Sequence, residues 1–232
     1  MKPTYLKYIS ENNLKLNTLN KQIYNLLADA IVDKVFKGGE KLVERDLQKH
    51  FNVSRSPIRE AFRMLEKKGL VEIIPRKGTF VKKVELKDIE NSFAIRAVLE
   101  GLAAKEAYKK MTKKDRAKMQ RILHNMKTAA HGNKPDLIKQ EVYEFHKVFI
   151  IASKNDFLIN VLRHIPIHYM WKRFLWQYSK KDLDSVTKRY RKLLQMFLDK
   201  NYDEHEVEKS VIDHVLWSGQ KFKNFLVNEG KI

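Results

Sequence analysis

The chain has 232 residues, room for one large domain or two small ones, and its hydrophobic content of 43% is enough to bury a core. A net charge of +19 points to a polyanionic partner, either nucleic acid or an anionic membrane surface. Cysteine is absent, which excludes a disulfide framework and thiolate chemistry. Apolar runs such as Val148–Ala152 are far too short to span a bilayer, and the first residues lack the apolar run of a signal peptide, so a soluble, cytoplasmic protein is expected.

The charge is uneven. Residues 1–84 carry 18 basic and 9 acidic side chains, whereas residues 85–232 carry 29 and 19, so the N-terminal third is the denser source of positive charge. Residues 1–17 show no clean period and read as an irregular arm. From Thr18 the pattern is helical: Leu19, Ile23, Leu27, Ala30 and Ile31 share one face, and the helix is expected to stop before Gly38-Gly39. In a second, short helix, Val43, Leu47 and Phe51 mark the buried side, with Arg45, Gln48 and Lys49 pointing away. Asn52 then stands where a tight turn needs positive φ, which Asn tolerates better than most residues. A third helix follows. Ser54 or Ser56 can cap it, Pro57 suits its first turn, Ile58, Ala61, Phe62 and Leu65 form its core face, and Gly69 ends it. Val71, Ile73, Thr79 and Val81 have β propensity and flank a turn at Pro75-Arg76-Lys77-Gly78, which predicts a two-stranded hairpin with a basic tip. Three helices and such a hairpin make a winged helix-turn-helix over residues 18–84.

From Leu86 onward no strand signal is present. Breakers at 131–135, 153–156 and 199–205 divide residues 85–232 into about six helices, with a capping box at Thr112 and Asp115 and a kink or split at Pro166. The expected fold class is therefore mainly α: an N-terminal winged helix-turn-helix followed by an all-helical antiparallel bundle.

One compositional switch bears on function. The chain has 35 Lys and 12 Arg, yet between Glu44 and Arg63 the bases are Arg45, Arg55, Arg59 and Arg63, with Lys49 the only lysine. Lysine suffices to neutralise phosphate, but only arginine offers a planar fork that can grip guanine O6 and N7 or clamp a phosphate in two places. The recognition helix of a helix-turn-helix meets bases through its N-terminal residues, which here are Ser54, Arg55, Ser56 and Arg59. The hairpin tip Arg76-Lys77-Gly78 can reach an adjacent groove. A surface helix with arginines is more often a solvated face, and Arg63 can pair with Glu60 or Glu66. Turn, cap, core face, basic tip and arginine bias agree within forty residues, which favours double-stranded DNA as the partner.

Residues 38–84, from Gly38-Gly39 through "VSRSPIREAFRMLEKKGLV" to the basic hairpin, resemble the DNA-binding domain of the GntR family of bacterial transcription regulators. The resemblance implies DNA contacts by Arg45, Ser54, Arg55, Ser56, Arg59, Lys77 and Gly78. Asn52 departs from the family's usual glycine. More loosely, Ile89–Ala107, Phe145–Asp156 and His214 resemble the helical ligand-sensing (FCD-type) domain of the FadR subfamily, which implies that residues 85–232 bind a small molecule and dimerise.

Many members of that subfamily hold a metal with one Asp and three His. Here the first His is His146, Val142 stands in the Asp position, Tyr190 matches the second His and His214 the last. Two ligands of four survive, where a stable divalent site needs three or four, so no metal and no cofactor are expected. His164 and His168 are one turn apart but match no family position and read as ordinary helix surface. By the resemblance, Arg96, His146, Tyr190 and His214 line a pocket for an organic acid or acyl compound. Arg96 either meets the ligand's carboxylate or forms a structural pair with Glu100, one turn along. The expected function is a non-enzymatic, homodimeric regulator, more commonly a repressor in this family, that reads a palindromic operator under control of that effector. The alternatives are an architectural nucleic-acid binder driven by charge alone and, third, a helical metalloenzyme using His146 and His214.

Overall fold

The computed structural model describes residues 19–33, 35–83, 85–164 and 180–228. Among these it has nine helices and one small sheet, and the described residues fall into two compact units, those up to 83 and those from 85. The N-terminal arm, Thr18, Pro166 and His168 lie outside the described residues.

The N-terminal unit runs α1 (Leu19–Val32), β1 (Lys41–Leu42), α2 (Glu44–Phe51), α3 (Arg55–Lys67), β2 (Val71–Ile74) and β3 (Gly78–Val81). Ile23, Leu27 and Ile31 of α1, Leu47 of α2, and Ile58, Phe62 and Leu65 of α3 are fully buried and form one core. Burying each such side chain contributes about 1.5–3 kcal/mol. Leu19, at the first turn of α1, is exposed. Val43 was expected on the buried side of the second helix; it instead precedes α2 in extended conformation and is exposed, because a residue outside the helix does not share its period.

Asn52 closes α2 in the left-handed conformation, φ 51° and ψ 50°, with its backbone N–H donating to the Gln48 carbonyl. This is the turn that carries the chain into α3. Ser54 is the N-cap residue of α3 by backbone conformation, without a side-chain capping bond, and Ser56 sits inside the first turn. Gly69 follows the helix with φ 64°.

The sheet has three strands in the order β1-β3-β2, all antiparallel, with Leu42 opposite Thr79 and Val71 opposite Val81. The predicted hairpin is therefore joined by a third strand, Lys41–Leu42, too short to leave a period of its own. At the tip, Arg76 has φ 62° and Lys77 N–H donates to the Ile74 carbonyl at 3.1 Å. Gly78 has φ 117°, a backbone conformation that favours glycine, whereas the flexible Lys41 side chain near its Cβ position could move aside.

In the C-terminal unit α4 (Leu86–Lys110), α5 (Lys113–His131), α6 (Pro135–Ala152), α7 (Asp156–His164), α8 (Lys180–Leu198) and α9 (Glu204–Asn228) form a bundle. The expected breakers fall in the gaps between these helices. Thr112 and Asp115 make a reciprocal capping box at the start of α5. Helices α4 and α9 approach closely at glycines: a Cβ at Gly101 would lie 2.6 Å from Ile212, and one at Gly219 would lie 2.7 Å from Phe93. That approach brings α4 and α9 to the same polar cluster as α6 and α8.

Candidate nucleic-acid interface and effector site

Ser54, Arg55, Ser56 and Arg59 lie at the start of α3 and are all exposed, as is Arg45 on the first turn of α2. Their exposure follows from the core face of α3. With Ile58, Ala61, Phe62 and Leu65 buried, the helical period turns 56 and 59 outward, while Arg55 is exposed because it opens the helix. Arg76 and Lys77 are exposed at the hairpin tip, and Gly78 is half-buried. The arginines are not bare. Glu44, at the first residue of α2, accepts a hydrogen bond from Arg55 Nε at 2.5 Å and stands 3.7 Å from Arg59 Nε. Arg63 pairs with Glu60 at 2.7 Å, settling the choice between Glu60 and Glu66; the Glu66 carboxylate accepts from the Ile73 backbone N–H. The contact of Glu44 with Arg55 has no sequence signal, since eleven positions separate the two across a turn.

In the bundle, Arg96 of α4, His146 of α6, Tyr190 of α8 and His214 of α9 converge, and all four are buried. Glu100 ties them together. Its carboxylate pairs with Arg96 Nε through one oxygen and accepts from His146 Nδ1 at 2.5 Å through the other. With its Nδ1 proton donated in a hydrogen bond to Glu100, neutral His146 has Nε2 as an acceptor, and the Tyr190 hydroxyl donates to it at 2.7 Å. Arg96 Nη2 lies 3.4 Å from the same Nδ1, a contact between two donors. The His214 ring packs edge-on against Tyr190 at 4.7 Å and lies 5.5 Å from the His146 ring. Neither ring nitrogen of His214 has a hydrogen-bond partner.

The electrostatics follow from burial and pairing. Burial alone raises the Glu100 carboxyl, but Arg96 and His146 outweigh it and hold it well below the usual carboxylate range. Burial pushes His146 below its ordinary value, against the pull of Glu100. His214 is pushed well below, by burial first and then by His146 and Arg96. The cluster thus holds one cation, one anion and two neutral imidazoles, and its formal charge cancels. Arg96 makes the ion pair with Glu100.

A divalent cation does not fit these residues. Val142, one turn before His146, is buried and apolar. Both nitrogens of His146 are engaged, Tyr190 donates to His146, and Glu100 is held by Arg96. The ring nitrogens of His214 have no hydrogen-bond partner, and among the described residues no three His, Asp, Glu or Cys gather as a ligand set. The His164 side chain and His168 lie outside the described residues.

A winged helix-turn-helix followed by a helical bundle around a buried polar cluster is the build of a two-domain regulator. The model of the bacterial regulatory proteins of the gntR family matches residues 19–81, and that of the FCD domain matches residues 91–215. The HTH-type transcriptional regulator YdhC of Bacillus subtilis is 30% identical over 211 residues, covering 90% of this chain and 93% of that one. The HTH-type transcriptional repressor RspR of Escherichia coli is 32% identical over 130 residues, 56% of this chain and 57% of that one. The solved structure of E. coli McbR/YncC has a TM-score of 0.70 at 19% identity, covering 91% of this chain and all of that one, which shows likeness of fold. The chain belongs to the GntR family and carries an FCD domain. Regulators of this family bind DNA, and FCD domains take small-molecule effectors.

Proposed function

We propose that this chain is a cytoplasmic transcription regulator, with a DNA-binding domain at residues 18–84 and a ligand-binding and dimerisation domain at residues 85–232. As a homodimer it reads a palindromic operator, and an organic acid or acyl compound in the bundle controls that binding. The carrying observation is the exposed set Ser54, Arg55, Ser56 and Arg59 at the start of α3, beside Arg45 and in the same unit as the basic tip. Arg55 and Arg59 suit guanine edges; Arg45, Lys77 and the serines suit phosphates. A two-fold protein matches a two-fold site. Relatives include a named repressor, which supports repression as the sign of control.

His214 supports the effector. A buried polar group without a partner costs about 1–3 kcal/mol, which a ligand offering a donor or acceptor recovers. Because the cluster is neutral in sum, such a ligand is held by hydrogen bonds to His214, whose ring nitrogens have no partner, more than by free charge. The test is to capture genomic fragments on the full chain and sequence them. A small set sharing an inverted repeat is expected; uniform retention of fragments would leave only a charge-driven architectural binder. Adding candidate organic acids to the captured complex then reads the effector, as release or tightening.

A further inference from the structure

We propose that Glu44 is a specificity-determining residue: it braces Arg55 and Arg59 in the free protein so that their outer guanidinium edges are presented to bases. The proposal rests on the DNA-binding reading above. Glu44 opens α2 and Arg55 opens α3, with Arg59 one turn further, so one carboxylate reaches across the helix-turn-helix to both. It meets Arg55 through Nε at 2.5 Å and lies nearest Arg59 at Nε, 3.7 Å away. A guanidinium grips guanine most directly with the fork of its two terminal nitrogens. Contact at Nε leaves that fork open. Arg63 provides the contrast: its Nη1 atom donates to Glu60, so part of its terminal fork is already taken.

The brace acts before DNA arrives. A long side chain that is already held loses less freedom on binding, so the contact it makes is favoured. The same carboxylate repels every duplex alike, because phosphates are common to all sequences. An element that penalises all partners and aids the right one raises discrimination more than affinity.

The experiment offers a randomised duplex library to the full chain and to the variants Glu44→Gln and Glu44→Asp, and sequences the bound fraction. Glu44→Gln is expected to bind the unselected library at least as tightly as the wild type, while enrichment of the preferred site falls about tenfold, with the loss at guanine positions. Glu44→Asp keeps the charge but shortens the reach, so it is expected to lose the same selectivity without gaining bulk affinity. Equal enrichment by all three proteins would make the pair an ordinary surface bridge and overturn the proposal. A change confined to cytosine positions would mean that Glu44 reads a base itself, which also overturns the brace. Loss of all DNA binding by both variants would assign Glu44 to the fold instead. If the wild type itself enriches no site, base reading fails and the proposal falls with it.

Discussion

Arginine does opposite things in the two units. Arg55 and Arg59 are 66% and 57% exposed and share one partly buried carboxylate, so they remain available to a polyanion. Arg96 is 4% exposed, as is Glu100, and the pair sits inside the bundle with His146 and Tyr190 attached. A surface ion pair is worth about 0–1 kcal/mol, so the arginines of α3 can change partners easily. A buried pair is held by the cost of separating it, which makes the cluster a fixed framework around His214. The difference teaches that residue type did not assign these roles. Burial did, and burial follows from which helix face packs.

The hardest blow to this contrast is to break the buried pair. Glu100→Ala leaves Arg96 without its carboxylate and His146 without its acceptor, and it should cost about 3–5 kcal/mol. Thermal unfolding of the full chain reads it, and Arg55→Ala serves as the surface counterpart, expected to shift stability by less than about 1 kcal/mol. Similar losses from both variants would erase the distinction between the units.

Next in size is the division of labour within the DNA-binding surface. Arg59→Ala should cost about 1–3 kcal/mol of discrimination if it reads a guanine, whereas Lys77→Ala should weaken all sequences alike. Salt titration supports the assignment. The slope of log K against log salt is about −0.9 for each phosphate contacted, so Lys77→Ala should flatten it by about one contact. If both variants weaken every sequence equally, Arg59 holds a phosphate and base readout lies elsewhere.

A smaller effect separates the histidines from the arginines. The folded pKa of His214 is depressed well below its ordinary value of 6.5, so below that value the unfolded chain takes up a proton first. The contribution of His214 to stability is therefore complete above pH 6.5 and declines as pH falls below it, by about 1.4 kcal/mol per pH unit. Glu100 is also depressed, but what it contributes is lost only at much lower pH, as its folded pKa is passed. Unfolding measured between pH 7.5 and 5.5 should show the slope, and His214→Phe should reduce it. A slope unchanged in that variant would place the titration on another group.

How much of this was legible in the sequence depended on range. Short-range signals carried through: the left-handed turn at Asn52, the core face of α3, the capping box at Thr112 and Asp115, and the helical gaps after His131 and Ala152 all depend on residues a few positions apart. Val43 misled because a helical period extends past the helix that generates it. Lys41–Leu42 was missed because two residues define no period, and their pairing with β3 is made nearly forty positions away. Arg96, His146, Tyr190 and His214 were singled out only through resemblance, and the resemblance did not include the charge arithmetic. That Glu100 neutralises Arg96 while ordering His146 is a property of two helices 46 positions apart, visible only once both are packed.

The smallest expected effect is none at all, and it tests the buried cluster most directly. The chain should purify without stoichiometric zinc, nickel or manganese, and removing divalent ions with a chelator should leave its unfolding midpoint unchanged. A metal that bound the folded state tightly would raise stability by about 4 kcal/mol at a thousand times its dissociation constant, an effect too large to miss. To bind here it would have to strip Tyr190 from His146 and compete with Arg96 for Glu100, with Val142 supplying nothing. An organic acid, if that is the effector, should accordingly bind with no added divalent ion. One tightly held ion per chain, or a ligand that binds only with metal present, would show that the cluster rearranges to expose donors it now keeps paired. The buried network would then be a resting state and not the framework of the site.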